Sequence, residues 1–189
     1  MQNISAIEDS QRFQQEKRSC CLNFELESYM EAIKEFPQEN YVTLTFAENK
    51  IYKWTAEKGA ELYLTPSGYT GSTYYSYEPG ANGLIINQKG NLVSAEHGNR
   101  RIAEMPLGKP ESKKSLSGLW EGKKLNSPND VIQAKNGDYY FTDPPYGLPG
   151  RGKDEPAKEL AFQGVFRITK KGEMSLQYAK MARPNGLAM

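Results

Sequence analysis

Two stretches of this chain can be laid over one another without a gap. ANGLIINQKGNLVSAE, from Ala81, and PNDVIQAKNGDYYFTD, from Pro128, align so that Asn82 meets Asn129 and Gly90 meets Gly137, both pairs 47 positions apart. Pro184-Asn185-Gly186-Leu187 opens a third copy 56 positions after Asn129, and the Gly-, Pro- and charge-rich loop LPGRGKDEPAKEL (148–160) accounts for the excess. A unit that recurs at this spacing is one supersecondary element, and it buries its faces against its neighbours in the row.

The unit is built of strands. YVTLTF (41–46), KIYKW (50–54), AELYL (60–64), NGLII (82–86), NLVSA (91–95), DVIQA (130–134), DYYFT (138–142), GVFRI (164–168) and MSLQY (174–178) are short, β-branched or aromatic, and divided by Gly-containing turns. Ile51-Tyr52-Lys53-Trp54 before Lys58-Gly59 resembles Val165-Phe166-Arg167-Ile168 before Lys171-Gly172, as if each unit closed with an outer hairpin. About four strands in 40–50 residues is the pattern of a propeller blade, since helical repeats of that length need amphipathic runs that are missing here. The expected fold is therefore all-β, a β-propeller represented by about three blades over residues 40–189. Residues 1–39, rich in Gln and Glu with Tyr29, Ile33 and Phe36 at near-helical spacing, read as a helical or poorly ordered leader.

Composition removes several functional classes. Lys plus Arg at 24 against Asp plus Glu at 23 leaves a net charge of +1, so there is no electrostatic case for nucleic acid or an anionic membrane as partner. The Lys-rich stretch 109–124 is broken by Ser, Gly, Pro and Trp120 and reads as a solvated connection. The cysteines, Cys20 and Cys21, are adjacent and offer no disulfide framework. No apolar run of signal-peptide or membrane-span length occurs, so a cytoplasmic location is expected.

In a propeller the innermost strand of each blade starts beside the central channel, so equivalent repeat positions converge on one axis. Asn82, Asn129 and Asn185 hold that position. Each has two readings, an amide oxygen aimed at the channel or a turn residue bonded to its own backbone. Asp130 either assists that site or bonds backbone N–H groups, because adjacent strand residues face opposite ways; Asn126 reads as loop. His97, the sole histidine, stands in SAEHGNRR as a packing residue or a substrate contact. Arg100 and Arg101 beside it are candidates for holding a carboxylate or sugar hydroxyls, with one of the two facing solvent. Asp143 in FTDPPYG is a turn former or a supporting carboxylate, and Tyr146 a pocket wall or ordinary packing.

Taken as a set, KGNLVSAEHGNRRI, GKKLNSPNDVI, NGDYYFTDPPYGL, ELAFQGVFRI and RPNGLA resemble the gluconolactonase, regucalcin and senescence-marker-protein family, from about Ile51 to Met189. That resemblance implies a six-bladed propeller and metal-dependent hydrolysis of a small-molecule lactone or ester. It nominates Asn129 and Asn185 as ligands of a divalent cation, Ca²⁺ first, with Mg²⁺ or Zn²⁺ as alternatives. Asn82, His97, Arg101 and Tyr146 are the candidate substrate contacts. The family's other ligands, a Glu in an early EGP segment and an Asp in a later blade, have no recognisable counterpart, so no catalytic residue is assigned. Glu31, Glu39 and Glu48 are the carboxylates that could stand in.

Six blades of about 45 residues need on the order of 270 residues, so a fragment is expected, its missing blades supplied by another segment or chain. Two classes of function follow. The chain is part of a cation-dependent lactonase, or a non-catalytic propeller remnant or interaction module.

Overall fold

The computed structural model of the chain describes residues 41–45, 48–55, 57–150 and 155–188. The helical or poorly ordered leader expected over residues 1–39 lies outside the described residues.

Three antiparallel sheets follow one another along the chain. The first has three strands, β1 (Tyr41–Thr45), β2 (Lys50–Thr55) and β3 (Gly59–Leu64). The second has four, β4 (Ala81–Ile86), β5 (Asn91–Glu96), β6 (Arg101–Pro106) and β7 (Lys114–Ser117). A two-stranded hairpin, β8 (Leu119–Trp120) with β9 (Lys123–Lys124), leads to the last four, β10 (Val131–Gln133), β11 (Tyr139–Asp143), β12 (Gly164–Ile168) and β13 (Met174–Tyr178). Every sheet is an up-and-down meander in chain order. The all-β, propeller expectation therefore holds, as two complete four-stranded blades and three strands of another.

Equivalent turns carry the repeat into geometry. Gly90, between β4 and β5, and Gly137, between β10 and β11, have φ of 76° and 92°, the left-handed region in which a side chain is strained. Both sit in the same hydrogen-bonded turn, Gly90 N–H to Asn87 O and Gly137 N–H to Ala134 O, each 2.9 Å.

Apolar layers lie between successive sheets. Ile51 of the first sheet packs with Ala81, Leu92 and Met105 of the second. Val93, Ala95 and Ile102 then pack with Val131, Phe141 and Phe166 of the third. The Phe166 ring stacks on Phe141 with centroids 5.3 Å apart and meets Trp120 edge-on at 5.5 Å. This is the contact between neighbouring blades that the repeat required.

The reading of 109–124 as a solvated connection is corrected, because it contains β7 and the β8–β9 hairpin. As the outermost strand of its blade, β7 is paired on one side alone, and charged side chains suit such an edge. Strand β6, also not anticipated, carries Glu104 in its buried interior. That carboxylate accepts bonds from Asn87 (2.6 Å) and Asn91 (2.9 Å) and pairs with Lys114, so burial did not require an apolar residue.

Candidate functional site

In each meander, alternate connections lie at the same end. The starts of β4 and β10, the β5–β6 loop (His97 to Arg100), the loop after β11 (Pro144 to Gly147) and the loop before β4 (65–80) share one end. The tight turns at Gly90, Gly137 and Gly172 share the other, where a groove of about 630 Å³ runs among Gln88, Lys114, Gln133 and Thr169. The repeated asparagines belong to the first end.

The three repeat openings meet there. Gly83 N–H donates to Asn129 O at 2.6 Å, joining the innermost strands of two blades. A Cβ on Gly83 would lie 2.6 Å from Asp130 Oδ1 and 2.7 Å from Asp130 Cα, so only glycine allows this approach. Thr142 ties the next opening to the same point. Its Oγ1 accepts from Asp130 N–H at 3.2 Å and donates to Asn185 O at 2.7 Å, while its carbonyl takes the Asn129 N–H at 2.9 Å. Asp130 completes the joint, accepting from Val131 N–H at 2.9 Å and Leu187 N–H at 2.7 Å. Of the two readings of Asp130, this is the backbone role.

Asn129 differs from its neighbour. The residue is 4% exposed, and its amide is not among the buried side-chain groups left without a hydrogen-bond partner. Asn185 is exposed, and its carbonyl, not its amide, is held by Thr142.

Asn82 and His97 form a second unit. His97 is fully buried, with Nδ1 at 3.1 Å from Glu78 O and Nε2 at 3.3 Å from Asn82 Nδ2. A carbonyl oxygen only accepts, so Nδ1 carries the proton and the Nε2 lone pair accepts from the Asn82 amide. One N–H of the Asn82 amide is thereby engaged by His97. His97 reaches the site through Asn82. Behind it lies Gly147, where an added Cβ would stand 2.4 Å from His97 Cβ.

The adjacent arginines part company. Arg100, 8% exposed and at φ 56°, turns inward: Nε donates to Leu125 O at 2.5 Å, and Nη1 lies 3.4 Å from Glu159. Arg101 Nε donates to Glu96 Oε2 at 2.7 Å, and Lys113 Nζ reaches Glu96 Oε1 at 2.8 Å. Glu96, fully buried, therefore balances two cations. Tyr146 donates to Arg183 O at 3.5 Å, and the Arg183 guanidinium lies 5.8 Å from its ring centre. That places Tyr146 beside the Asn185 segment.

Asn126, read as loop from sequence, is fully buried, its Nδ2 donating to Asp143 O (2.9 Å) and Phe162 O (3.0 Å). Asp143 is buried as well. Desolvation pushes its carboxyl up to about 7, against the pull of the Asn126 N–H, the Arg100 charge, the Ser127 N–H and Lys158. Sequence reasoning gave no weight to Glu96 or Thr142, and their significance comes from partners distant in the chain. Among the substitute carboxylates, Glu48 is exposed and paired with Lys50 at 2.9 Å; Glu31 and Glu39 lie outside the described residues.

Repeated four-stranded blades, with the Asn82, Asn129 and Asn185 segments joined by backbone bonds at one end, define a β-propeller. The sequence matches the SMP-30/Gluconolactonase/LRE-like region over residues 39–189, and the chain belongs to that family. It is 38% identical over 144 residues to a gluconolactonase of Zymomonas mobilis, a match covering 75% of this chain and 40% of that one. The fold is similar to an X-ray structure of a suspected gluconolactonase, with a TM-score of 0.65 and 29% identity over 78% of this chain and 47% of the other. A gluconolactonase of Xanthomonas campestris, described as important in glucose secondary metabolic pathways, aligns with a TM-score of 0.59 and 26% identity over 74% and 43%. The chain thus spans less than half the length of each of these relatives.

Proposed function

We propose that this chain carries the Asn129–Asn185 side of the site of a gluconolactonase-type hydrolase, which opens a sugar lactone or related ester with the help of a divalent cation. The observation that supports this most is the joining of the repeat openings, in which Gly83 N–H bonds Asn129 O and Thr142 ties the Asn129 and Asn185 segments together. Amide oxygens are the donors that hard cations such as Ca²⁺ or Mg²⁺ accept, and they add no charge. Asn129 and Asn185 fit as two donors of a larger shell. A bound cation supplies polarisation of the lactone carbonyl and orientation of a water.

The chain's own groups do the positioning. Thr142 and Asp130 set the spacing of the Asn129 and Asn185 segments through backbone bonds. Asn82, its amide held by His97, offers polar atoms to a substrate hydroxyl, and Tyr146 with Arg183 borders the Asn185 side.

Calcium titration followed by NMR tests the reading. The side-chain amide signals of Asn129 and Asn185 shift together, with a dissociation constant of about 1 mM or weaker because no carboxylate contributes. Gluconolactone hydrolysis by the chain is then slow and abolished by chelator. Amide signals that ignore Ca²⁺, or hydrolysis that survives chelation, would overturn it. A non-catalytic remnant is the second reading, favoured by one observation: Glu48, a stand-in carboxylate, is exposed and paired with Lys50 at 2.9 Å. Calcium binding with no hydrolysis at all selects it.

A further inference from the structure

The groove at the tight-turn end of the blades lies away from the repeated asparagines, and its volume of about 630 Å³ is that of a small-molecule site. It follows the seam between the second and third sheets. Across that seam Gln88 N–H donates to Gln133 Oε1 at 2.8 Å, and Gln88 Nε2 donates to Ala134 O at 3.0 Å. Two blades are thus stitched together beside the opening, which holds both of its walls in place.

Repetition gathers charge there. Lys89 and Lys171 each precede the glycine of a tight turn, Gly90 at φ 76° and Gly172 at φ 88°. Both turns are closed by a backbone bond, Gly90 N–H to Asn87 O at 2.9 Å and Gly172 N–H to Thr169 O at 2.8 Å. With Lys114 and Lys170 they give the lining four lysines against one carboxylate, Glu104, among the described residues. Lys114 already pairs with Glu104 Oε2 at 3.0 Å, and Asn87 and Asn91 bond the other oxygen. Turn lysines are ordinarily solvated, but cations drawn into one groove repel one another, and a multivalent anion relieves that repulsion.

The floor adds a directed donor. Tyr139 is 8% exposed, and its hydroxyl oxygen accepts from Asn87 Nδ2 at 2.9 Å. A phenol has one hydrogen to give, and with the oxygen so engaged that hydrogen is left for an acceptor in the groove. An acceptor that carries negative charge makes the stronger bond.

We propose that this groove binds a small, multiply charged phosphate anion, its oxygens held by Lys89, Lys170 and Lys171 and by the Tyr139 hydroxyl. Phosphate offers several acceptor oxygens and more than one charge, which matches separate ammonium groups better than a single carboxylate does. The anion touches both blades, so its binding also strengthens the seam that Gln88 and Gln133 close. This site stands apart from the lactonase reading and holds whether or not that reading does.

The probe is pyrophosphate, titrated calorimetrically into the chain in buffer free of divalent cations, with backbone amide signals followed by NMR. The Lys89, Lys170 and Lys171 signals should shift, binding should weaken as sodium chloride is raised, and the saturated chain should melt at a higher temperature. Lys89→Gln and Lys171→Gln should each weaken binding about 3- to 5-fold, the effect of one exposed ion pair. Tyr139→Phe should weaken it about 10-fold. Lys123→Gln, on strand β9 and outside the groove, should leave it unchanged. All three of these lysines are exposed, so their variants keep the fold. Equal affinity in the Lys89 and Lys171 variants, or no binding by the unaltered chain, overturns the proposal. A tetraglutamate peptide that binds where pyrophosphate does not would give the groove to an acidic protein segment and overturn it equally.

Discussion

Asn126 and Asp143 are joined by two hydrogen bonds and still leave one oxygen each without a partner. Asn126 N–H donates to Asp143 Oδ2 at 2.7 Å and Asn126 Nδ2 to Asp143 O at 2.9 Å, while both Oδ1 atoms are buried and unbonded. Two buried acceptors with no donor between them are costly. A proton on Asp143 removes one acceptor and supplies a donor, which is the direction in which burial moves its carboxyl.

Stability should therefore depend on pH in a defined way. With the folded pKa of Asp143 raised from 3.8 to about 7, the protonated form favours the fold. Its contribution is fully present below pH 3.8, falls as the pH rises towards 7 and is absent above that; the whole effect is on the order of 4 kcal/mol. Asp143→Asn keeps an acceptor for the Asn126 N–H and adds an NH₂ donor. The variant should gain about 1–3 kcal/mol at pH 8 and flatten the profile between pH 4 and 7, read by urea unfolding across pH. An unchanged profile would show that Asp143 does not titrate in this range.

Glu96 carries the opposite risk. Truncating it to Ala leaves Arg101 and the mostly buried Lys113 without their counter-charge. Removing one member of a buried ion pair costs about 3–5 kcal/mol, so the urea midpoint of Glu96→Ala should drop accordingly. Arg101→Ala, at a site with more solvent, should cost less.

The Thr142 side chain bonds the Asn185 carbonyl and the Asp130 N–H, and so spans the two segments that bear the proposed cation donors. Thr142→Val keeps the shape and removes both Oγ1 bonds. Calcium affinity should fall about 10-fold while the fold survives, measured by the same amide titration; groups that orient ligands commonly matter to that degree. Equal affinity would mean that Asn185 is held in place by other contacts.

Gly147→Ala tests the Asn82–His97 unit from behind. The new methyl must displace the His97 ring or its own loop, since the ideal Cβ position lies 2.4 Å from His97 Cβ and 2.5 Å from Cγ. Overpacking of this kind costs about 1–3 kcal/mol. The His97 ring signals in the NMR spectrum should move with it.

Much of this was legible in the residues. The repeat that opens at Asn82 and Asn129 predicted strands β4, β5, β10 and β11, and the aligned glycines Gly90 and Gly137 occupy the same left-handed turn position. Alternating apolar residues and turn signals are local, so they survive in the sequence. Strands β6 and β7 escaped because Glu104 and Lys114 look solvated until the neighbouring Asn87 and Asn91 are in place.

What the order of residues determined by itself was the blade, its repeat, and the family that the repeat and its motifs spell out. Which arginine of the pair is buried, that Asn126 is buried with an unbonded oxygen, and that Asp143 is sealed away from water were decided only by tertiary structure. Each of those outcomes depends on a partner far away in the chain, as with Arg100 and Leu125 or Thr142 and Asn185. A polar side chain's role is set by the groups that replace its water, and in this fold those come from neighbouring blades.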